Sequence, residues 1–512
     1  MRSINPDLPR YPTLIHVLAE AIHRVPEHDA LICSGKTLSY LQLGQAVTGL
    51  AAQIREELAA DSRIMVMLSN SLEMEIAIFA SMAAQAQAIP ANPFLTESEL
   101  RPVLKAAEAD MVIYDIRQGE KLLPLLREAG LKHLLAVNLD GSTLSHWLDS
   151  GEGNFHTALM PEPHKPGLMF LSGGTTGIPK CVNHLHGALV TTVRQHVHMW
   201  PVDFEQERFL SVAPMFHIWG FGYAVMVPTY ARSTLVIIPK YNPDEVLKSL
   251  HHHHITIFAG GPAPIYMGLL DNPLIRHVDF SHLKYSLSGG APCPEDLHIR
   301  WKEITGCSLF EGWGMSEGAP LCLNPAEAKR KTGSVGIPVP ETEIRAVHVD
   351  TRSVLAVGEV GEIQVRGPQL TIGYRNNPEE TAMLYTDGWL NTGDVGYIDE
   401  EGYLFLVDRK KDMVIVGGYN VYPREVDEVL FNHPKIAEAA ALGKPDKRLG
   451  EVIVAFVVLK PGASMTEEEF FSYCNGKLVK YKRPVEVTFL DALPRTGANK
   501  INKRALKATH YG

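Results

Sequence analysis

The sequence predicts an α/β protein whose parallel sheets are covered by helices, followed by a smaller α+β domain. Three observations predict it. Strand-like and helix-like segments alternate through about the first four hundred residues, the pattern of parallel sheets buried on both faces. Glycine-rich loops follow several strand-like runs, where open α/β sheets hold their ligands. Near Asp408 the composition shifts, and "VDRKKDMVIVGGYNVYP" sets five charges beside a glycine pair.

Taken in order, "LQLGQAVTGLAAQI" carries Val47, Leu50 and Ile54 at helical spacing. "RIMVML" (Arg63 to Leu68) reads as a strand and "SLEMEIAIFASMAAQ" as a helix, with "ADMVIYD" and "HLLAVNL" as further strands. Strand "STLVIIP", helix "NPDEVLKSL", strands "ITIFAGG" and "LKYSLSGG", helix "PEDLHIRWKEI" and strand "CSLFEGW" follow. The run His251 to His254 is expected to end a helix, where polar side chains suit the last carbonyls; metal binding there is the minor reading. After Asp408 come helix "REVDEVLFNH", strands "IAEAAALG" and "EVIVAFVVLK", helix "TEEEFFSYCNGKLV" and strand "VEVTFLD", a domain of about one hundred residues.

The 512 residues allow two or more domains, and 45% hydrophobic with 21% charged residues is ordinary globular composition. A net charge of -10 argues against non-specific nucleic-acid binding. Six scattered cysteines form no C-x-x-C pair, so neither a zinc site nor a disulfide framework is indicated, and a reducing compartment fits. The N-terminus lacks the layout of a signal peptide, and the longest apolar stretch, "EIAIFASMAAQAQAIPA", is too short to span a bilayer. The expectation is a soluble, cytoplasmic protein without a membrane span.

Three loops carry the chemistry. In "LSGGTTGIPK" (Leu171 to Lys180), Gly173, Gly174 and Gly177 allow close backbone approach. Ser172, Thr175 and Thr176 offer hydroxyls, and Lys180 offers charge. Pro179 has no N–H and no Gly-Lys pair opens a helix, so this phosphate loop is not of Walker A type. A plain glycine turn is the alternative. "SLSGGAP" supplies Gly289, Gly290 and Ala291, and "FEGWGMSEG" supplies Glu311, Gly312, Trp313, Gly314, Met315, Ser316 and Glu317. Trp313, between two glycines, is poorly placed for core burial and suits a purine face. Glu317 suits Mg²⁺, which takes one or two carboxylates with phosphate oxygens. Packing and a solvated loop charge are the plain alternatives.

The chain resembles the adenylate-forming superfamily of acyl-CoA synthetases, adenylation domains and luciferases, and looks most like the acyl-CoA synthetases. The resemblance runs from about Leu38 to Lys503 through "LSGGTTGIPK", "APMFHIWG", "SLSGGAP", "GWGMSEG", "GEIQVRGP", "DGWLNTGDVGY", "DRKKDMVIVGGYNVYP" and "LPRTGANKINK". It implies two α/β subdomains plus a small β-barrel over residues 1–408, a hinge at 409–411 and a mobile α+β domain over 412–512. It implies ATP, Mg²⁺ and CoA as co-reactants. Thr175 and Glu317 match the metal positions, and Thr176 and Lys180 the β,γ-phosphate loop. Ser316 matches a hydroxyl to the α-phosphate, and Gly290, Ala291 and Trp313 match the adenine pocket. Asp394 and Arg409 match the ribose contacts, Lys500 the lysine bridging carboxylate and α-phosphate, and Lys411 the hinge. Gly417, Gly418 and Tyr419 would line the pantetheine channel, although a hairpin turn is the plain reading there. Trp313 stands where tyrosine is usual, Ser316 for threonine, Asn499 for glycine, and Cys181 for a glycine after the loop lysine.

The acyl pocket is expected beside "APMFHIWGFGYAV", with His217, Ile218 and Phe221 as wall residues, continuing through Gly260, Gly290, Gly314 and Met315. His217 matches a position near the acyl carboxylate. This mostly apolar lining predicts a hydrophobic acid, fatty or aromatic. CoA is the expected acceptor, with "KLVKYKRP" (Lys477 to Pro484) offering cations to its phosphates. The alternatives are a ligase loading the phosphopantetheine of a carrier protein and, from another class, an inactive ATP-binding regulator.

Overall fold

The structure is a computed structural model that describes residues 2–155, 159–172, 179–290, 293–331, 333–417, 419–496 and 501–511. It divides into two compact units. The first comprises Met1–Lys331, Gly336–Glu343 and Arg366–Gly388; the second comprises Thr332–Val335, Ile344–Val365 and Trp389–Gly512. The architecture is α/β with a large N-terminal and a small C-terminal domain.

Two mixed sheets organise the first unit. In one, Asp29–Cys33, Thr234–Ile237, Arg208–Ser211, Ile257–Gly261, Tyr285–Gly289 and Ser308–Met315 lie side by side and parallel. Antiparallel strands Lys36–Ser39 and Gly318–Leu323 flank them. In the other, Pro166–Ser172, Gln87–Pro90, Arg63–Met67, Met111–Asp115 and His133–Val137 run parallel, and Lys180–Leu185 pairs antiparallel with Pro166–Ser172.

Local chemistry starts the helices where the sequence places them. Ser39 caps Tyr40–Glu57 in a reciprocal box with Gln42, and the Ser71 hydroxyl accepts from the Met74 N–H to begin Leu72–Ala83. All twelve residues of Leu72–Ala83 are buried, which explains its apolar run better than a stripe would. The helix Pro243–His252 does end within the histidine run.

The strand read in "CSLFEGW" is observed and runs further: Ser308–Met315 passes through Gly312 and Trp313, and the loop expected there shrinks to a tight turn into Gly318–Leu323. Gly312 belongs in that strand for a packing reason, since a Cβ there would stand 2.5 Å from Leu323 Cδ2.

In the second unit, Trp389–Ile398 pairs antiparallel with both Gly361–Arg366 and Leu404–Arg409. Another sheet carries Tyr419–Val421, Val414–Val416, Gly450–Leu459, Ile436–Asp446 and Glu486–Phe489. The helices Pro423–Phe431 and Glu467–Lys477 cover it through Val426, Leu430, Phe470 and Cys474. Val414–Val416 and Tyr419–Val421 form a hairpin, the plain reading of that segment. No helix among the described residues is long and apolar enough to cross a membrane.

Candidate functional site

Ser172 ends one strand and Lys180 begins the next, and the two face each other in the antiparallel ladder. Gly173, Gly174, Thr175, Thr176 and Gly177 lie outside the described residues, so the opening loop is known here by its two anchors. Lys180 opens a strand, whereas the lysine of a Walker A loop opens a helix, in agreement with the exclusion of that motif.

Lys180 and Glu317, far apart in sequence, meet around one tyrosine. The Lys180 ammonium lies 4.8 Å from the Tyr374 ring centroid and pairs with Glu380. Tyr374 donates its O–H to Glu317 Oε1 at 2.7 Å. Burial and the Glu317 charge push the Tyr374 hydroxyl well above its usual range, so it remains a donor. The backbone N–H of Thr371 donates to the Glu317 carbonyl at 2.7 Å. Glu317 is buried at 7% exposure, with one oxygen fixed by a donor. A carboxylate has further lone pairs, so this group fits a Mg²⁺ ligand. The motif reading missed Tyr374, Glu380 and Thr371. Their signal is the stretch "TIGYRNNPEE", where Gly373 takes φ +121 ahead of the tyrosine.

Ser316 is held from behind by a buried histidine. His184 Nε2 lies 2.7 Å from the Ser316 carbonyl; since a carbonyl can only accept, the ring donates from Nε2. Burial lowers the His184 pKa to about 4, and the Ser316 contact opposes that weakly. The sign of the pH effect follows. Between its unfolded value of 6.5 and about 4, the unfolded chain takes up a proton that the folded ring refuses. The stability due to this group is full above pH 6.5 and falls on acidification, by about 1.4 kcal/mol per pH unit. His184→Gln keeps the donor and removes the titration. Thermal midpoints measured from about pH 7 to about pH 4 should fall less steeply for the variant, and parallel curves would refute the assignment.

At the ends of the parallel strands, Gly289 is buried and Gly290 is exposed with φ +80; Ala291 lies outside the described residues. Glu311 is buried and accepts from His298. Trp313 departs from expectation. It is 8% exposed in mid-strand, opposite Cys322, and so more enclosed than its flanking glycines suggest. Gly314 and Met315 are partly exposed, and a Cβ on Gly314 would stand 2.6 Å from that of Ala319.

His217 acts locally as a helix cap: the Trp219 N–H donates to its Nδ1 at 3.3 Å, starting Ile218–Phe221. A π-helical stretch, Gly222–Met226, follows, a feature frequent at functional sites. Ile218 is partly exposed, and Phe221 is fully buried, edge-on to Phe170 with centroids 5.4 Å apart. Gly260 packs against Tyr266, whose hydroxyl accepts its N–H at 3.2 Å. Sequence reading overlooked Trp219. A Cβ on Gly289 would lie 2.2 Å from its ring and one on Gly261 3.6 Å from its Nε1, so the indole covers two adjacent strand ends. That Nε1 is buried without a hydrogen-bond partner.

In the second unit, Asp394 and Arg409 are cross-strand partners joined by an ion pair of 2.6 Å. The carboxylate is buried at 4%, while the guanidinium side chain is 47% exposed. Lys411 lies in a single 3₁₀ turn, Lys410–Asp412. Gly417 has φ +57, and the exposed Tyr419 stacks on Tyr481 at 4.5 Å. Gly418 and Lys500 lie outside the described residues. Of the basic segment Lys477 to Pro484, Lys482 is paired with Glu425 at 2.7 Å, which offsets one of its charges, and Arg483 donates to the Leu478 carbonyl.

The family described as AMP-binding enzyme matches residues 18–375, and its C-terminal domain matches residues 425–500. A long-chain-fatty-acid–CoA ligase of Bacillus subtilis (strain 168) is 34% identical over 99% of this chain and 98% of its own. 4-coumarate–CoA ligase 2 of Oryza sativa subsp. japonica is 31% identical over 98% and 93%. ATP-bound MatB from Rhodopseudomonas palustris superposes with a TM-score of 0.90 at 28% identity, covering 97% of this chain and 99% of that one. The paired anchors Ser172 and Lys180, the Lys180–Tyr374–Glu317 cluster and two family matches in succession agree: the chain belongs to the AMP-binding, adenylate-forming enzyme family of the acyl-CoA synthetases.

Proposed function

We propose that this enzyme activates a hydrophobic carboxylic acid, fatty or aromatic, and that Trp219 sets the length it accepts. The reaction class is that of an adenylate-forming acid–CoA ligase, with ATP, Mg²⁺ and CoA as co-reactants. A carboxylate oxygen attacks the α-phosphorus of ATP and expels pyrophosphate. The CoA thiol then attacks the acyl carbon and expels AMP. Two anions must meet in the first step, so positioning and charge neutralisation carry the catalysis. A bound Mg²⁺ supplies electrostatic shielding of phosphate oxygens, with Thr175 and Glu317 as its holders.

The observation that carries this reading is the meeting of Lys180 and Glu317 at Tyr374: a phosphate-loop cation and a buried acidic ligand fixed around one donor. Ser316, its carbonyl held by His184, addresses the α-phosphate; Gly290, Ala291 and Trp313 take the base, and Asp394 and Arg409 the ribose. Lys500 neutralises carboxylate and α-phosphate. His217, Ile218 and Phe221 begin the acyl wall, and Gly417, Gly418 and Tyr419 admit the thiol. We take residues 1–408 and 412–512 as the working domains, with Lys411 as pivot, since short 3₁₀ stretches often mark hinges. Six unpaired thiols support a cytoplasmic location.

The test is a carboxylic-acid panel read by pyrophosphate release, followed by acceptor assays with CoA and with a phosphopantetheinylated carrier protein. Acid-dependent release and a CoA thioester are expected. Release with transfer to the carrier alone would reassign the acceptor, and no release with any acid would refute the reading. Within that panel, Trp219→Ala should raise kcat/KM for longer acids on the order of tenfold or more, since each buried methylene contributes about 0.8 kcal/mol. An unchanged chain-length profile would remove Trp219 from the pocket.

A further inference from the structure

Behind the Gly289–Gly290 turn, three metal-capable side chains converge within one strand–helix–strand unit. Cys293 precedes the helix Glu295–Thr305, His298 sits in its first turns, and Glu311 lies on the strand Ser308–Met315. Their ligand atoms all lie within 4.8 Å of one another, and His298 Nε2 is 3.1 Å from Glu311 Oε2. Among the described residues no other group of three His, Cys, Asp or Glu side chains converges this way.

A second observation points to an absent partner. Ser288 is directly opposite Glu311 in the parallel ladder and is fully buried, yet its hydroxyl has no hydrogen-bond partner of ordinary geometry. It faces the Cys293 thiol, whose proton burial and the Glu311 charge hold tightly. A thiolate bound to a cation would accept from that hydroxyl, giving the orphaned group a role as the outer support that metal-bound ligands usually have.

We propose that Cys293, His298 and Glu311 form a binding site for a thiophilic divalent cation of the Zn²⁺ class. The ligand set is thiolate, imidazole and carboxylate, the chemistry of three-ligand zinc sites that keep a fourth position for water. Tetrahedral bonds of about 2.0–2.3 Å place ligand atoms roughly 3.5 Å apart, so the side chains must close by about an ångström, within reach of rotamer adjustment. On binding, the Cys293 sulfur exchanges its proton, released to solvent, for the metal. The cation ties the residues after Gly290 to the strand leading into Gly312 and Trp313, so occupancy is expected to alter the KM for ATP. Mg²⁺ does not compete, because a hard cation avoids thiolate.

The test uses the full chain, stripped with chelator and titrated with Co²⁺ as a spectroscopic substitute. The expected result is one equivalent bound with a sulfur-to-cobalt charge-transfer band, undisturbed by excess Mg²⁺ and displaced by Zn²⁺. Cys293→Ser should abolish the band, and His298→Ala should weaken Co²⁺ binding about tenfold or more. Absence of the band, or its survival in Cys293→Ser, overturns the proposal, because the exposed histidine run cannot produce a thiolate band. Should Cys293→Ser fail to fold, alkylation of wild-type Cys293 decides: Zn²⁺ should slow it, and an unchanged rate refutes the site. None of these readouts depends on acid activation, so the site and the ligase reading stand or fall separately.

Discussion

Lys500→Ala is expected to lose acyl-adenylate formation by about a hundredfold or more while sparing thioester formation from synthetic acyl-AMP. The magnitude is that of removing one well-placed charge stabiliser from a reaction that gathers negative charge. The asymmetry has a simple cause. In the first half-reaction a carboxylate approaches a phosphate, and a cation offsets their repulsion. In the second, a thiol attacks a carbonyl already activated by AMP, and that cation has nothing to neutralise. Pyrophosphate release measures the first step, and thioester formation from supplied acyl-AMP measures the second. Equal losses in both would mean that Lys500 serves the fold or general binding instead.

The second large effect is on stability. Lys503, three residues beyond Lys500, pairs with Asp427 at 3.1 Å, with side-chain exposures of 25% and 13%. The Asp427 carboxylate also accepts from the Ala441 N–H. Burial raises the Asp427 pKa to about 6, against the pull of Lys503. Lys503→Met would strand the buried Asp427 carboxylate, at a cost of about 3 kcal/mol, the lower end for breaking a buried pair because both groups keep some water. Denaturant unfolding at about pH 8, well above the ordinary carboxylate range, checks it. The difference from wild type should shrink as pH falls towards about 6, because without Lys503 the buried carboxyl takes up its proton at a higher pH than it does in the wild type. Adding Asp427→Asn should recover much of the loss; a double variant as unstable as the single one would mean that packing, not charge, was removed.

Several site residues were legible because their chemistry is compact in the chain. Ser172 and Lys180 are eight positions apart and became cross-strand partners, and Asp394 and Arg409 each sit in a short motif and then pair across two strands. The burial of Trp313 was misjudged because flanking glycines suggested display. Those glycines instead admit Leu323 and Ala319 from the neighbouring strand, and the indole is buried with them. The cysteines showed no metal pattern because Cys293, His298 and Glu311 are spaced by a helix and a strand, not by a ligand motif.

Periodicity and glycine-bearing motifs were enough to specify the α/β class, the order of most elements and the family. These features are local: alternation of helix and strand, capping residues such as Ser39 and Ser71, and loops that must approach a phosphate are each written within a few adjacent residues. Folding in three dimensions was needed to bring Tyr374 between Lys180 and Glu317, to set His184 behind Ser316, to lay Trp219 across Gly261 and Gly289, and to close the Cys293 cluster. Each of these joins segments on different strands or helices, and the register between such elements depends on how whole faces pack, which no short window of residues encodes.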